Sequence, residues 1–314
     1  GFRELLGTGI RRHELELELA SRAVAAMGIR EATVDPEMPV AVADRLRADG
    51  IVLHVDDKAI AARRRAKSAL ELAGIRRAQA AAEAGMSAAA ELLRRAGTDG
   101  GRLMVDGEVL TAESVRAVVR DACQARGAPA PPDIIVSSPW SGFGHDPGSG
   151  PLPADLPIVI DLWPRDEESG CWADMTRTFV VGEVSEQVRA MEALVLEAIE
   201  RAREAVAPGI TGRELYDLVC DLFEGAGYKT QRTERGEDPN DGFQFALGHG
   251  VGLALHEPPG LGRTGHGPLV AGDVIAIEPG LWVREIGEVR FEDLLLVTEV
   301  GGETLTHYPY DLNP

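Results

Sequence analysis

Two pairs of acidic residues and one histidine stand where a hairpin would bring them together. Asp161 ends the apolar run Pro157–Ile160, and Asp174 precedes the run Met175–Val181. Between them, Pro164–Gly170 is rich in turn-forming and charged residues, so the segment folds back on itself and sets the two carboxylates opposite each other. Glu278 and Glu292 repeat the pattern around a turn near Arg284–Gly287. Carboxylates placed this way repel unless they share a proton or a cation. Left alone, each aspartate would be an ordinary solvated strand end. Glu278 shares strand parity with Val274 and Ala276, so it faces a core and needs a partner, either Arg290 or a cation.

Histidines add nitrogen donors. His249 and His256 lie in Gly248-His249-Gly250-Val251-Gly252-Leu253-Ala254-Leu255-His256. A straight strand would send residues seven apart to opposite faces. Gly250 and Gly252 let the chain bend, so both rings can reach one cavity. His145 sits in the glycine-rich loop Ser141–Gly148, just ahead of the Asp161 strand. Four carboxylates and one imidazole form an oxygen-rich donor set that suits two divalent ions such as Mn²⁺, Co²⁺ or Zn²⁺. It does not suit a cysteine-based structural zinc site. No phosphate-binding Gly-x-x-x-x-Gly-Lys loop, Gly-x-Ser-x-Gly elbow or His-Glu-x-x-His pair is present.

The segments Asp174-Met175-Thr176-Arg177-Thr178, Gly248-His249-Gly250 with His256-Glu257, Ile277-Glu278-Pro279-Gly280 and Arg290-Phe291-Glu292-Asp293 resemble the Xaa-Pro peptidases. These are the aminopeptidase P and prolidase group of the methionine-aminopeptidase-like, pita-bread metallopeptidases. The resemblance runs from about Ala62 to the C-terminus. It also reaches into residues 1–57, which look like the end of that family's smaller N-terminal domain; their shortness points to residues upstream of this chain. The resemblance implies an α+β pita-bread domain over 58–314, with two pseudo-symmetric halves, preceded by a partial α/β domain over 1–57.

The resemblance also implies roles. Asp161 would hold one metal ion, His249 and Glu278 the other, and Asp174 and Glu292 would bridge both. A metal-bridging hydroxide would attack the bond, with Glu278 as general base. His145 and His256 would bind substrate and intermediate, and Arg290 would orient Glu292 or its neighbours. Arg263 is the candidate for meeting a dipeptide's free carboxylate. The expected substrate is an Xaa-Pro peptide or dipeptide, and the expected assembly a homodimer. The sequence departs from the family at Asp161-Leu162-Trp163, where Asp-x-Gly is common, at Cys171, often a Tyr, and in a turn about two residues longer. That turn motivates a second reading, a lyase or amidohydrolase acting on a modified amino acid. A non-catalytic binding module of the same fold is a third, and it would be expected to have lost ligands.

The elements that must position these groups follow from periodicity and caps. Helix 9–28, strand 32–34, helix 39–49 and strand 51–55 compose a small leading unit. The stretch 58–95 is helical, and Gly74 and Gly85 predict breaks within it. Thr111 caps a helix to about Ala125, and Ser185 caps another to Ala207. Thr211 with Glu214 forms a capping box for a third, ending near Gly225. Strands are expected at 134–137, 157–162, 175–181, 243–247, 273–277 and 289–297. Helices followed by strands thus occur twice, before and after residue 182.

Composition narrows the partners. A formal charge of -19 over 314 residues disfavours nucleic acid and anionic membrane surfaces. No apolar run approaches the ~20 residues of a spanning helix. Cys123, Cys171 and Cys220 are too few and scattered for a disulfide framework and fit a reduced, cytoplasmic setting.

Overall fold

The computed structural model describes residues 2–141, 144–233 and 238–314, and the side chains of 57–59 lie outside the description. Gly142 and Phe143, within the expected His145 loop, also fall outside it. The chain divides into two compact units, Gly1–Arg64 and Arg65–Pro314. In the first, α1 (Phe2–Leu6) and α2 (Arg12–Ala26) precede β1 (Glu31–Val34), α3 (Val40–Ala48) and β2 (Val52–Val55). The two strands pair in parallel, with Glu31 opposite Val52. This is what a strand–helix–strand run requires. Helix α4 (Asp57–Arg65) follows.

The second unit opens with α5 (Ala69–Arg94), one unbroken helix through both Gly74 and Gly85. The break falls instead at Ala66–Ser68, where Ser68 and Glu71 form a capping box. The glycines serve packing. A Cβ on Gly74 would lie 1.9 Å from Ser169 Oγ, and one on Gly85 2.8 Å from Cys123 Sγ. Close neighbours cross the helix there, and the cost of glycine in a helix is about 1 kcal/mol each.

A small antiparallel sheet, β3 (Gly97–Asp99), β4 (Arg102–Val105) and β5 (Glu108–Val109), leads into α6 (Ala112–Ala125), capped by Thr111. Then β6 (Ile135–Ser137), β7 (Ile158–Leu162) and β8 (Met175–Phe179) form an antiparallel sheet. Helices α5 and α6 pack on it through Met86, Leu93, Val115 and Val119 against Ile158, Ile160 and Met175.

The second half repeats the order. Helix α7 (Glu186–Ala205) is capped by Ser185, and α8 (Gly212–Gly225) by the Thr211–Glu214 box. Five strands follow as β10–β9–β11–β14–β15: β9 (Gly248–Gly250), β10 (Glu257–Leu261), β11 (Val274–Ile277), β14 (Asp293–Thr298) and β15 (Gly301–Thr304). Between β11 and β14 the chain makes a hairpin, β12 (Gly280–Val283) with β13 (Gly287–Arg290). Two expectations shift here. In the segment 243–247 Phe243 and Leu247 are buried, but the segment makes only an isolated bridge at Phe243, because these two apolar residues report burial rather than a ladder. The expected strand 289–297 is split at Phe291–Glu292, where the Glu292 N–H donates to Thr176 O at 3.1 Å instead of continuing along its own sheet.

That bond belongs to the seam between the halves. Thr178 Oγ1 donates to Arg290 O at 2.8 Å, and Arg177 Nη1 donates to Glu292 O at 2.7 Å. Arg177 is fully buried and also holds Asp293 Oδ1 at 2.9 Å. The seam fixes β8 against the Arg290–Asp293 segment, which sets the acidic residues of the two halves against each other.

Candidate metal centre

Register explains how the acids converge. In the β7–β8 pair Asp161 lies opposite Thr176, and Asp174 sits two residues before Thr176 on the same face. The aspartates are therefore diagonal neighbours. In the other half, Ile277 pairs with Asp293 and Gly280 pairs with Arg290. Both pairs keep one register, which puts Glu278 directly opposite Glu292. All four carboxylates are buried, each 7% exposed or less.

His249 comes from β9, beside β11. Its Nδ1 lies 3.1 Å from Gly250 O. A carbonyl only accepts, so Nδ1 is the donor here, and in the neutral ring that leaves the Nε2 lone pair for a metal. That Nε2 is 3.5 Å from Asp174 Oδ2 and 3.7 Å from Glu278 Oε1. The His256 ring stands edge-on to His249, with centroids 4.2 Å apart. Its loop is tied down by the buried pair Lys67 Nζ–Glu257 Oε1 at 2.6 Å. His145 Nε2 lies 3.9 Å from Glu278 Oε2, and its ring meets Phe245 edge to face.

Donor atoms fall into three overlapping groups, each within 4.8 Å: Asp161, Asp174 and Glu292; His249, Glu278 and Glu292; and Asp174, His249 and His256. Glu292 belongs to two of them. Buried carboxylates this close cannot all ionise without a cation. Burial, then the neighbouring Asp161 and Glu278, pushes Asp174 far above the usual carboxylate range. Burial and Asp174 do the same to Glu292. Burial raises Glu278 to about 7. Burial lowers His256 to about 4 and also lowers His145, where Arg290 adds to the effect.

The fully buried Arg290, expected to orient Glu292 or its neighbours, donates to Asp161 Oδ2 at 2.9 Å. Its Nη1 is 3.6 Å from the buried Glu288, which the sequence reading missed. Glu292 is held instead by a neutral donor, Thr176 Oγ1, at 2.8 Å. Asp161 Oδ1 is buried without a hydrogen-bond partner. This orphaned oxygen, the crowded acids and the free imidazole nitrogen all fit a divalent cation.

A cavity of about 240 Å³ opens over these groups. Its polar wall holds His145, Asp161, Asp174, His249, His256 and Glu278, while Ile135, Pro147, Trp163 and Leu255 form an apolar wall, with Asp133 beside them. Arg263 is exposed and does not line it. The turn between Asp161 and Asp174 is anchored elsewhere. Asp166 accepts two hydrogen bonds from Arg77 of α5, at 2.9 and 2.8 Å, and one from Ser169 Oγ at 2.6 Å.

Residues 73–299 match metallopeptidase family M24, well over half of the chain, and the protein belongs to that family. It is similar to the Xaa-Pro dipeptidase of Pyrococcus furiosus, 38% identical over 196 residues that cover 61% of this chain and 52% of that protein. The chain spans about half the length of the curated relatives it matches. The solved prolidase of Pyrococcus horikoshii superposes with a TM-score of 0.78 at 29% identity, over 93% of this chain and 78% of that one. An X-Pro aminopeptidase structure from Thermotoga maritima shares the fold with a TM-score of 0.78 at 24% identity, over 94% and 78% of the two chains. The two-halved domain is thus the pita-bread fold of the prolidases. No helix among the described residues is long and apolar enough to cross a membrane.

Proposed function

We propose that this protein is a metal-dependent peptidase that cleaves the Xaa-Pro bond at a peptide N-terminus or in a dipeptide. The observation that carries this reading is the meeting of four buried carboxylates with Nε2 of His249, around a cavity whose adjoining cation, Arg290, hydrogen-bonds Asp161 alone of the four. Asp161, Asp174 and Glu292 would hold one divalent ion, and His249, Glu278 and Glu292 a second, with Asp174 and Glu292 shared. Manganese, cobalt and zinc all suit this donor set. Bound ions supply Lewis acidity, acidifying water and polarising a scissile carbonyl.

The chain's own residues do the rest. Glu278 stands on the cavity wall, so it can take a proton from attacking water and return it to the leaving amine. His145 and His256 are neutral at pH 7, because burial lowers both. Each can donate an N–H to the developing oxyanion without carrying a charge of its own. Arg290 holds Asp161 in place from behind.

The test is a cleavage assay on Xaa-Pro dipeptides and longer Xaa-Pro peptides, run with each of the three metals, alongside metal analysis of the purified protein. Release of the N-terminal residue with a bound divalent ion is the expected result. A protein that binds no divalent ion at micromolar concentration, or that binds one and cleaves none of the series, would sink the reading.

A further inference from the structure

The reaction engages one wall of the cavity and leaves the other without a task. Trp163 dominates that second wall, together with Leu255, Ile135 and Pro147. Its position follows from the strands. Asp161 and Trp163 are two residues apart along β7 and its continuation, so they share a face about 7 Å apart. Ile135 lies opposite Asp161 in the β6–β7 pair, and the same register carried outward sets Asp133 opposite Trp163. On the other side, Leu162 pairs with Met175, so Asp174 falls beside Trp163. The indole and Asp133 thus share the rung of Asp174, one same-face step out from Asp161. A side chain that flanks a bond held at Asp161 has this rung within reach.

The indole is held in place. Trp163 is partly buried and packs on the core that α5 and α6 share with β7. A ring fixed in this way offers a large apolar face with little conformational entropy to lose on binding. Asp133 is exposed, and among the described residues no lysine or arginine lines the cavity to offset it.

We propose that Trp163 is the specificity-determining residue of this cavity: it seats an apolar side chain on the variable residue before the scissile bond, while Asp133 on the same rung disfavours an acidic one. The inference rests on the peptidase reading above. The experiment compares kcat/KM of the metal-loaded protein over Gly-Pro, Ala-Pro, Leu-Pro, Phe-Pro and Asp-Pro peptides. The wild type should favour Leu and Phe over Gly. Trp163→Ala should shrink the Leu-to-Gly ratio by about 10- to 100-fold. Trp163→Phe keeps an aromatic wall and should retain most of the preference, which separates lost recognition from lost folding. Asp133→Asn should raise the Asp-to-Ala ratio several-fold, most clearly at low salt.

An unchanged ratio in Trp163→Ala, a uniform fall across the series, or a gain on large residues would each overturn the assignment to Trp163. An unchanged Asp-to-Ala ratio would overturn that to Asp133. If the wild type cleaves nothing, the peptidase reading fails on its own, and the subsite is read by calorimetric binding of the same peptides. A Leu-over-Gly preference lost in Trp163→Ala would then still support it, and equal binding of all five peptides would end it.

Discussion

The two hairpins that carry the acidic residues solve the same problem differently. Glu278 and Glu292 face each other because one register runs unbroken from the Ile277–Asp293 pair to the Gly280–Arg290 pair. Asp161 and Asp174 are offset diagonally, and a long connection between them is tethered to α5. The charges differ as well. Asp161 has a buried guanidinium, whereas Glu292 has only a threonine hydroxyl. One acid of the four is therefore neutralised within the protein. The other three take up protons more tightly than free carboxylates do. The fold supplies one positive charge and leaves the remainder to an outside cation.

Removing a shared ligand should have the largest effect. Asp174→Ala or Glu292→Ala should lose bound metal and lower kcat/KM by more than about 1,000-fold, the scale of losing several kcal/mol of Lewis-acid stabilisation. Metal content and turnover measured on the same preparation check this. Full metal occupancy in either variant would mean that the three overlapping donor groups are not the metal centre.

Next in size is the built-in cation. Arg290→Met leaves Asp161 and Glu288 buried without their positive partner. Breaking a buried pair from one side costs about 3–5 kcal/mol. Denaturant unfolding in chelator should show that loss. A cost below about 1 kcal/mol would mean that Arg290 is not what holds Asp161 in the metal-free protein.

The contrast between the hairpins also has a sign in pH. Glu278, Asp174 and Glu292 have folded-state values above the ordinary 4.5 and 3.8, with Glu278 near 7. In metal-free protein the folded state then holds protons that the unfolded state has released. The contribution of Glu278 is complete below about pH 4 and is lost as pH rises through about 7, and those of Asp174 and Glu292 are lost in the same direction. Divalent ions compete with those protons, so metal should stabilise more as pH rises. Melting temperature with chelator and with Mn²⁺, compared from about pH 5 to 8, reads both slopes. A metal-induced shift that does not vary with pH would contradict the protonated-acid account.

Much of this was legible in the chain itself. The four acids and His249 could be picked out because hairpin pairing converts sequence separation into proximity, and the Glu278–Glu292 register fell where the turn near Arg284 required. Caps at Thr111, Ser185 and Thr211 fixed helix starts because they act within one turn of chain. What escaped notice depended on distant neighbours. Gly74 looked like a helix breaker, but its lack of a Cβ is required by Ser169, far along the chain. For Arg290 the chain offers Glu292 and its neighbours as partners, and only the meeting of the halves selects Asp161. Glu288 belongs to none of the acidic pairs that hairpin pairing singles out, and the packing of the halves buries it. Trp163 and Asp133 become neighbours only through a register that the sequence did not reveal.

The smallest effect belongs to the long connection, and it tests whether that segment is a tether or part of the substrate site. The Asp166 carboxyl is drawn down to about 2, chiefly by its paired hydrogen bonds from Arg77. A depressed folded-state value contributes stability above the ordinary 3.8, and that stability is lost as pH falls through about 2. Asp166 is 5% exposed but Arg77 is 44% exposed, so solvent screens the pair from one side. Asp166→Asn should therefore cost about 1–2 kcal/mol at neutral pH, short of what the full shift would imply. The difference from wild type should close in acid as Asp166 itself becomes neutral. Because the Asp166–Gly170 tip of the turn is tied to α5 and, unlike Trp163, does not line the cavity, kcat/KM for Xaa-Pro peptides should stay within about two-fold at temperatures where the variant is folded. A ten-fold change in kcat/KM without loss of stability would show that the Asp166 tip, and not Trp163 alone, reaches the substrate, and the line drawn between a tethered tip and a working wall would have to move.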